Sequence, residues 1–518
     1  MVDMETQAIL NPLFILLAGA IIVVIVEQVG RRLKLPKLTD ATAVVFFALT
    51  LISLYQLYLI SKGQTPPVLT YSLKGLGGPF GVSFVVDGLS LFMAFLFAGL
   101  GLLVSIYSIR YMEKDLNLDR YYSLLMTLVA GMIGVVFAGD LFNLFVFWET
   151  MSISSYSLVA FRKYRWEPIE ASFKYLTMST VGSLMVLYAI SFLYGLTGTL
   201  NIYELARILG ASPIRSQLLA AYFLVACVVA GFGVTGAMVP FHFWLPDAHP
   251  AAPSGISAML SGVVIKAGVY GIARVLFTVF NPNSFDFGTV LMVFGVITLT
   301  VANLAALLQR DIKRLLAYSS IVNIGYILSG LGIGAYVITH YQPPLSLSVA
   351  GLAVMGALFH IFNHAIGKGL LFLCAGCFIH EAKTRDISML EGIGKHMAIT
   401  GASFSIGLLG LAGVPPLSGF WSKLFIILAG YSITWDPFMI VVTTLIVLNS
   451  IFAATYYVWL MQRIMFRESK VKAKEAPASM ILPIVILALL CVVVGLMPGW
   501  IIEAAGKAGL SLISYVGG

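Results

Sequence analysis

The chain has 518 residues, 59% hydrophobic and only 10% charged, with 49 Gly and a net charge of +8. A soluble globular chain carries about 25% charged residues, so this composition excludes an ordinary soluble domain and indicates a polytopic membrane protein. The positive charge is not a nucleic-acid footprint, because the basic residues gather in short loops and form no basic face or aromatic–basic platform.

Fourteen spans are predicted, at 8–29, 40–61, 84–108, 121–138, 141–161, 168–195, 216–239, 254–277, 286–308, 314–334, 349–379, 398–430, 438–462 and 479–497. Each crosses, or nearly crosses, a hydrocarbon core about 30 Å thick. Helices are expected, since a spanning backbone must satisfy its own polar groups. The strand alternation of an outer-membrane barrel is missing. The predicted fold class is therefore an all-α polytopic membrane protein. No cleavable signal peptide is expected, because the first apolar run lacks a basic leader and a small-residue cleavage pattern. No connection is long enough for a separate core. Asn201–Gly210 is expected as a short external helix, and Pro67, Gly75, Gly77, Gly78 and Gly81 mark turns in the second loop.

Alternate loops are basic. Those after spans 1, 3, 5, 9, 11 and 13 hold 21 Lys and Arg, including Lys34, Lys313 and Lys470; the other loops and the tail hold 5, namely Lys62, Lys74, Arg207, Arg215 and Lys507. Both termini are thus expected on the non-cytoplasmic side.

Asp87, in VDGLSLF, is placed to cap span 3. Span 5, LFNLFVFWETMSISSYSLVA, carries Glu149 near its middle. An acid at that depth is costly unless it has a partner, water or a transport role. Two roles stay open for it, an ion pair that orients helices and a proton-transfer group. Lys174, on span 6, is the expected partner in both, while Glu170 at the start of that span is expected to be wet. Ser152, Ser154, Ser155, Thr177, Ser179 and Thr180 offer hydroxyls to waters or to helix packing.

Two spans should be broken. Span 7 reads AGFGVTGAMVPFHFWLPDAH, with Gly231, Gly233 and Gly236 ahead of Pro240; span 12 reads GLAGVPPLSGFWSK, with Gly413, Pro415, Pro416 and Gly419. Proline removes a donor and clashes with the preceding turn, so a helix opens there. Opened backbone survives at membrane depth only against protein or a water-filled cavity. Two such helices five spans apart suggest related transport halves. The expected division is 1–115 (spans 1–3), 116–280 (spans 4–8), 281–465 (spans 9–13) and 466–518 (span 14 and tail).

The loop after span 7 holds His242, Asp247 and His249 and no Lys or Arg. The histidines suit either proton uptake or a satisfied tight turn. Asp247 is placed to cap a helix or bind His249. Lys266 lies midway along span 8, and Arg274, near its end, is expected to snorkel. Asp311, in QRDIKR, is placed to cap span 10 or to neutralise its loop. On span 11, His360, His364 and Lys368 recur every four residues and so share one face. Lys423 follows the break in span 12. For Lys266 and Lys423 the alternatives are proton relay and helix packing; for the histidines, proton exchange and satisfied packing hydrogen bonds. An H-E-x-x-H pattern is absent. Cys374 and Cys377 form a C-x-x-C without a second pair or flanking strand, and Cys227 and Cys491 are lone cysteines in apolar runs, so neither metal nor redox use is expected.

Several pieces together resemble the antiporter-like subunits of respiratory complex I, multisubunit cation/proton antiporters and membrane-bound hydrogenases. They are VDGLSLF at 86–92, WET at 148–150, FKYL at 173–176, PFHFWLPDAHPAAP at 240–253, LSGVVIKAGVYGIAR at 260–274, QRDIKRLLAYSS at 309–320, HIFNHAIGKGLLFLCAG at 360–376 and GVPPLSGFWSK at 413–423. The chain is most similar in character to membrane-bound hydrogenase or sulfur-reductase subunits. The resemblance implies about fourteen transmembrane helices, two inverted five-helix repeats over spans 4–8 and 9–13, and a central polar axis. Under it Glu149 matches the fifth-helix acid, Lys266 the eighth-helix lysine, His360, His364 and Lys368 the eleventh-helix exchange region, and Lys423 the basic residue after the twelfth-helix break. With Lys174, His242 and His249 these make up the expected proton-transfer set.

The implied function is proton translocation, or proton/sodium antiport, within a redox-driven complex of a bacterial or archaeal cell membrane. No flavin, haem, iron–sulfur or nickel ligand set is recognisable in the chain. Iron–sulfur and nickel–iron centres are therefore expected in partner subunits, which would comprise other integral membrane subunits and a peripheral redox module. No independent redox chemistry is expected of this chain. A short tail, without a long lateral helix, is expected after span 14. One departure matters: the family places a lysine five residues before the Pro of PFH, and that position is Thr235. The alternatives are a non-pumping structural subunit of the same complex and a stand-alone cation/proton transporter.

Overall fold

The computed structural model describes residues 4–33, 35, 37–63, 67–72, 82–211, 218–469 and 471–513. Lys34, Lys74, Gly75, Gly77, Gly78, Gly81, Arg215 and Lys470, used above for loop charge and turns, lie outside the described residues.

The chain opens with α1 (Met4–Leu33) and α2 (Leu38–Lys62). A small antiparallel hairpin follows, β1 (Leu69–Ser72) and β2 (Ser83–Val86), with Leu69 opposite Val86; it adds two short strands to the all-α expectation. Then come α3 (Gly88–Tyr111), α4 (Leu118–Phe137), α5 (Leu141–Val159), α6 (Trp166–Thr197), α7 (Ile202–Ala211), α8 (Leu218–Thr235) and α9 (Leu245–Ala251). Next are α10 (Ser254–Met259), α11 (Ile265–Val275), α12 (Gly288–Leu307), α13 (Ile312–His340), α14 (Leu345–Ala382) and α15 (Ile393–His396). The chain closes with α16 (Ala398–Ala412), α17 (Ser418–Tyr431), α18 (Pro437–Phe466), α19 (Ala478–Leu496) and α20 (Gly499–Ile513).

Among the described residues, eleven helical stretches are long and apolar enough to cross a membrane, and Ala220–Thr235 and Ala398–Ala412 are shorter apolar helices. The nineteen-residue α5 is less apolar than these, since it carries Asn143, Glu149, Thr150 and four serines. Aspartates start several helices, as the sequence indicates for Asp87 and Asp311. Asp87 accepts from the Ser90 amide at 2.9 Å, Asp140 from Asn143 at 2.7 Å and Asp311 from Lys313 at 2.8 Å. Such a cap is worth about 1 kcal/mol. Asp140 also takes the Ser83 amide at 2.9 Å, tying the hairpin to the start of α5.

Both expected breaks are present. Helix α8 stops at Thr235, and Ala237 turns the chain at φ 51° ahead of Pro240. Helix α16 stops at Ala412, and Gly413 turns it at φ 88°, a conformation glycine adopts without a Cβ clash. Span 8 is not one regular helix: π-helical turns at Leu260–Val264 and Leu276–Phe280 bracket α11. The α10–α11 stretch and α13 form the fully buried centre, while α1, α2 and α18 lie at the periphery. Small residues let the central backbones approach: a Cβ on Gly325 would meet the Gly295 carbonyl oxygen at 2.8 Å.

One expectation is corrected here. Arg274 does not snorkel; it is buried and grips Asp87 through two guanidinium nitrogens at 2.7 and 2.8 Å, because solvent is out of reach and an unpaired charge there is prohibitive. After α19 the chain forms the fifteen-residue α20, which packs against α3 and α14.

Candidate functional site

Helix α13 gathers several buried basic groups. Its residues 313, 316, 319, 320, 323 and 326 recur at three- and four-residue intervals and so line one face. Lys313, at the start, is buried and donates to the Ala252 carbonyl at 2.7 Å and to Ser257 Oγ at 3.3 Å. Ser257 donates in turn to the His249 carbonyl at 3.0 Å. One turn further, Lys368 of α14 donates to the Leu316 carbonyl at 2.9 Å and to Ser319 Oγ. Ser320 shares a 2.6 Å hydrogen bond with Ser261, whose carbonyl, inside a π turn, accepts from Lys266. The Asn323 amide reaches His360 Nε2 at 3.0 Å and Tyr457 Oη at 3.2 Å. The Tyr326 ring lies 4.8 Å from Lys423 Nζ, within cation–π range.

The fourfold spacing on α14 acts as expected. His360 and His364 lie nearly parallel, with ring centroids 6.4 Å apart, and Lys368 continues the row. His360, His364, Lys368 and Lys266 have no exposed surface. Both ring nitrogens of His364 are without a hydrogen-bond partner, and Lys266, Lys368 and Lys423 all act on it electrostatically. Lys423 donates to the Leu411 carbonyl at 2.8 Å and the Ala412 carbonyl at 3.3 Å, filling the open end of α16.

The histidines near the first break are buried as well. His249 stacks on Phe372 with centroids 4.4 Å apart, and neither of its nitrogens has a partner; His242 Nδ1 has none either. Asp247 does not bind His249. It bridges Lys174 and Arg314, both at 2.9 Å. Arg385 extends this half-exposed belt, meeting Asp311 at 3.0 Å, Glu167 at 2.8 Å and the Pro250 carbonyl at 2.7 Å.

The expected Glu149–Lys174 pair is not formed. Glu149 accepts from Ser183, nine residues after Lys174 on α6, which is about 14 Å along the axis at 1.5 Å per residue. Lys174 instead pairs with Glu170 and Asp247 at the surface. Glu149 itself is partly exposed, in a stripe with the outward-facing Phe142, Val146 and Ile153.

The two breaks differ in charge. At the first, Thr235 is buried and the last carbonyls of α8 are taken by neutral donors: Phe232 by the Gly236 amide and Gly233 by the Met238 amide, both at 2.9 Å, and Val234 by the Trp244 indole at 2.8 Å. At the second, the Gly413 and Val414 amides take the Leu409 and Gly410 carbonyls, and the Lys423 amino group takes the last two, Leu411 and Ala412.

Sequence reasoning missed Lys313, counted above as a loop charge, and the neutral linkers Ser257, Ser261, Ser319, Ser320, Asn323, Ser422 and Tyr457. The run AYSSIVNIGY carried a signal in its polar residues at helical spacing. Among the described residues, no group of three or more His, Cys, Asp or Glu is arranged to hold a metal ion. The arrangement places buried charged groups next to hydroxyls and amides, as ion translocation requires.

Residues 138–449 match the family model described as NADH:quinone oxidoreductase/Mrp antiporter, and 77–122 that of the complex I chain 5 N-terminus. An Na(+)/H(+) antiporter subunit of Alkalihalophilus pseudofirmus is 33% identical over 479 residues, 89% of this chain but 58% of that protein, so the chain spans little more than half of that relative. An NADH-quinone oxidoreductase subunit of Desulforudis audaxviator is 32% identical over 84% of this chain and 85% of that protein. A chain of the membrane-bound sulfane sulfur reductase, an archaeal respiratory membrane complex, superposes with a TM-score of 0.86 at 28% identity over 99% of both chains. One from the Mrp complex of Dietzia sp. DQ12-45-1b gives 0.82 at 22% identity over 98% of both, a likeness of fold.

Proposed function

The chain belongs to the NADH:quinone oxidoreductase/Mrp antiporter family of membrane proteins, and from that premise we propose that it is a proton-translocating subunit of a multisubunit, redox-driven membrane complex. The observation that carries this reading is the gathering of Lys368, His360, Lys423 and, through Ser261, Lys266 along the face of α13 that begins with Lys313. Ionisable groups at membrane depth are costly to keep and mark ion routes by default. Protons would be taken up near His242, His249 and Lys313, exchanged among Lys266, His364 and Lys368, and released beyond His360 and Lys423. Waters would complete the route between them.

The similar anatomy of the two breaks supports inverted repeats over spans 4–8 and 9–13 within a fourteen-helix plan, and with them the four-part division of the chain. Loop charge supports termini on the non-cytoplasmic side. The sulfane sulfur reductase likeness supports a peripheral redox module, with iron–sulfur and any nickel–iron centres in partner subunits. The outward position of Glu149 supports burial of that face against another membrane subunit, where a carboxylate can be satisfied. Sodium antiport belongs to the same reading, by the names of the antiporter relatives. A second reading has one observation in its favour: Thr235 and the neutral donors at the first break favour a silent first half-channel.

The test is proton pumping by the intact parent complex in proteoliposomes, wild type against Lys266→Ala and Lys423→Ala. Loss of pumping by roughly 100-fold with assembly retained is expected. Wild-type pumping in both variants would overturn the proposal.

A further inference from the structure

The hydrogen bonds around His360 determine which of its nitrogens exchanges a proton. The Asn323 amide cannot be turned around: its Nδ2 donates to the Ser319 carbonyl at 2.7 Å and to Tyr457 Oη at 3.2 Å. A carbonyl only accepts, so the amide nitrogen must face it. Oδ1 therefore faces His360 Nε2, at 3.0 Å. An amide oxygen also only accepts, so Nε2 carries a hydrogen. In the neutral ring the bare nitrogen is then Nδ1, and Ser422 Oγ lies 2.9 Å from it. The same hydroxyl lies 3.2 Å from the Gly419 carbonyl, so it has two acceptors for one hydrogen.

We propose that Asn323, as a positioning residue, and Ser422, as the hydroxyl that hands the proton on, make His360 a one-sided proton relay, open only through Nδ1 toward α17. This rests on the transport reading above. With the ring neutral, Ser422 donates to Nδ1. When a proton arrives from an ammonium or a protonated water, it binds Ser422 Oγ as the hydroxyl hydrogen passes to Nδ1. The donor's N–H or O–H bond and the serine O–H bond break, and a new serine O–H bond and an Nδ1–H bond form. The donor is left neutral and Ser422 remains a hydroxyl. That hydroxyl then points to Gly419 and accepts from Nδ1–H; release reverses these moves toward a different acceptor, a water or a neutral amine, so that a proton is passed on. Asn323 Oδ1 accepts from Nε2–H throughout, so no proton leaves on the α13 side.

The groups around the ring are Lys423 on α17 and Lys266 on α11, which act electrostatically, His364 on its own helix, and Tyr326 on α13 with centroids 5.4 Å apart. Among the described residues no carboxylate contacts His360.

Two experiments on the intact complex test this. In proteoliposomes, Ser422→Ala is expected to lower protons moved per electron roughly tenfold, while Ser422→Thr, which keeps the hydroxyl, is expected to stay within about twofold of wild type. Wild-type pumping in Ser422→Ala alongside failed pumping in Lys423→Ala would overturn the relay and leave transport standing; wild-type pumping in both would remove both. Independently, ¹⁵N-histidine solid-state NMR of the wild-type complex, with the His360 signal assigned by its loss in His360→Gln, is expected to show the neutral Nε2–H tautomer. An Nδ1–H tautomer would overturn the proposal. Asn323→Leu is expected to give a mixture of the two.

Discussion

Lys423 reaches back across the break in its own span, and its Nζ donates to the carbonyl of Leu411 at 2.8 Å. The ammonium thus sits at the C-terminal end of α16, where a helix carries partial negative charge. The Ala412 carbonyl and Ser450 Oγ, both at 3.3 Å, and the Tyr326 ring complete its surroundings. Removing the ammonium leaves buried acceptors without a donor. Lys423→Met is therefore expected to lower the stability of the purified complex by about 1–3 kcal/mol, measured by thermal unfolding.

Glycine holds the same break closed. A Cβ on Gly419 would overlap the Gly410 carbonyl oxygen. Gly419→Ala should push α17 away from α16 and displace Lys423, four residues on. A loss of about 1–3 kcal/mol is expected, with proton transport falling by more than assembly does.

The Asp87–Arg274 pair joins the start of α3 to the helix that carries Lys266. Breaking one side leaves a buried charge alone, so Arg274→Met is expected to cost about 3–5 kcal/mol. The double variant Asp87→Ala with Arg274→Met should recover part of that loss. A double-mutant cycle on unfolding of the complex reads the coupling directly.

Lys174 pairs at the surface, where each ion pair is worth about 0–1 kcal/mol and is screened by salt. Lys174→Ala is expected to leave proton transport near wild type, in contrast to Lys266→Ala. Equal loss in the two variants would place Lys174 in the route.

Charges in apolar runs were legible in the sequence, and so Lys266, His360, His364, Lys368 and Lys423 could be picked out. Prolines made both breaks legible, because a proline inside an apolar run removes a donor and clashes with the preceding turn. The identity of Glu149's neighbour was not legible. Adjacent spans say nothing about depth, and Lys174 lies nine residues from the serine that Glu149 meets. Lys313 was hidden among the loop charges of QRDIKR, because burial of a helix start depends on the fold around it. Ser319 and Asn323 were hidden because hydroxyls and amides are ordinary in membrane helices until their partners are known. Arg274 was misread because its partner is 187 positions away in the chain.

The measurement that tests the central claim most directly is the number of protons moved per electron by the complex carrying Lys423→Arg. A guanidinium can keep the positive charge and the Leu411 contact, but it does not give up its proton. The expected result is an assembled, electron-transferring complex whose proton transport is roughly tenfold lower or absent. A wild-type ratio in that variant would contradict a proton passing through Lys423.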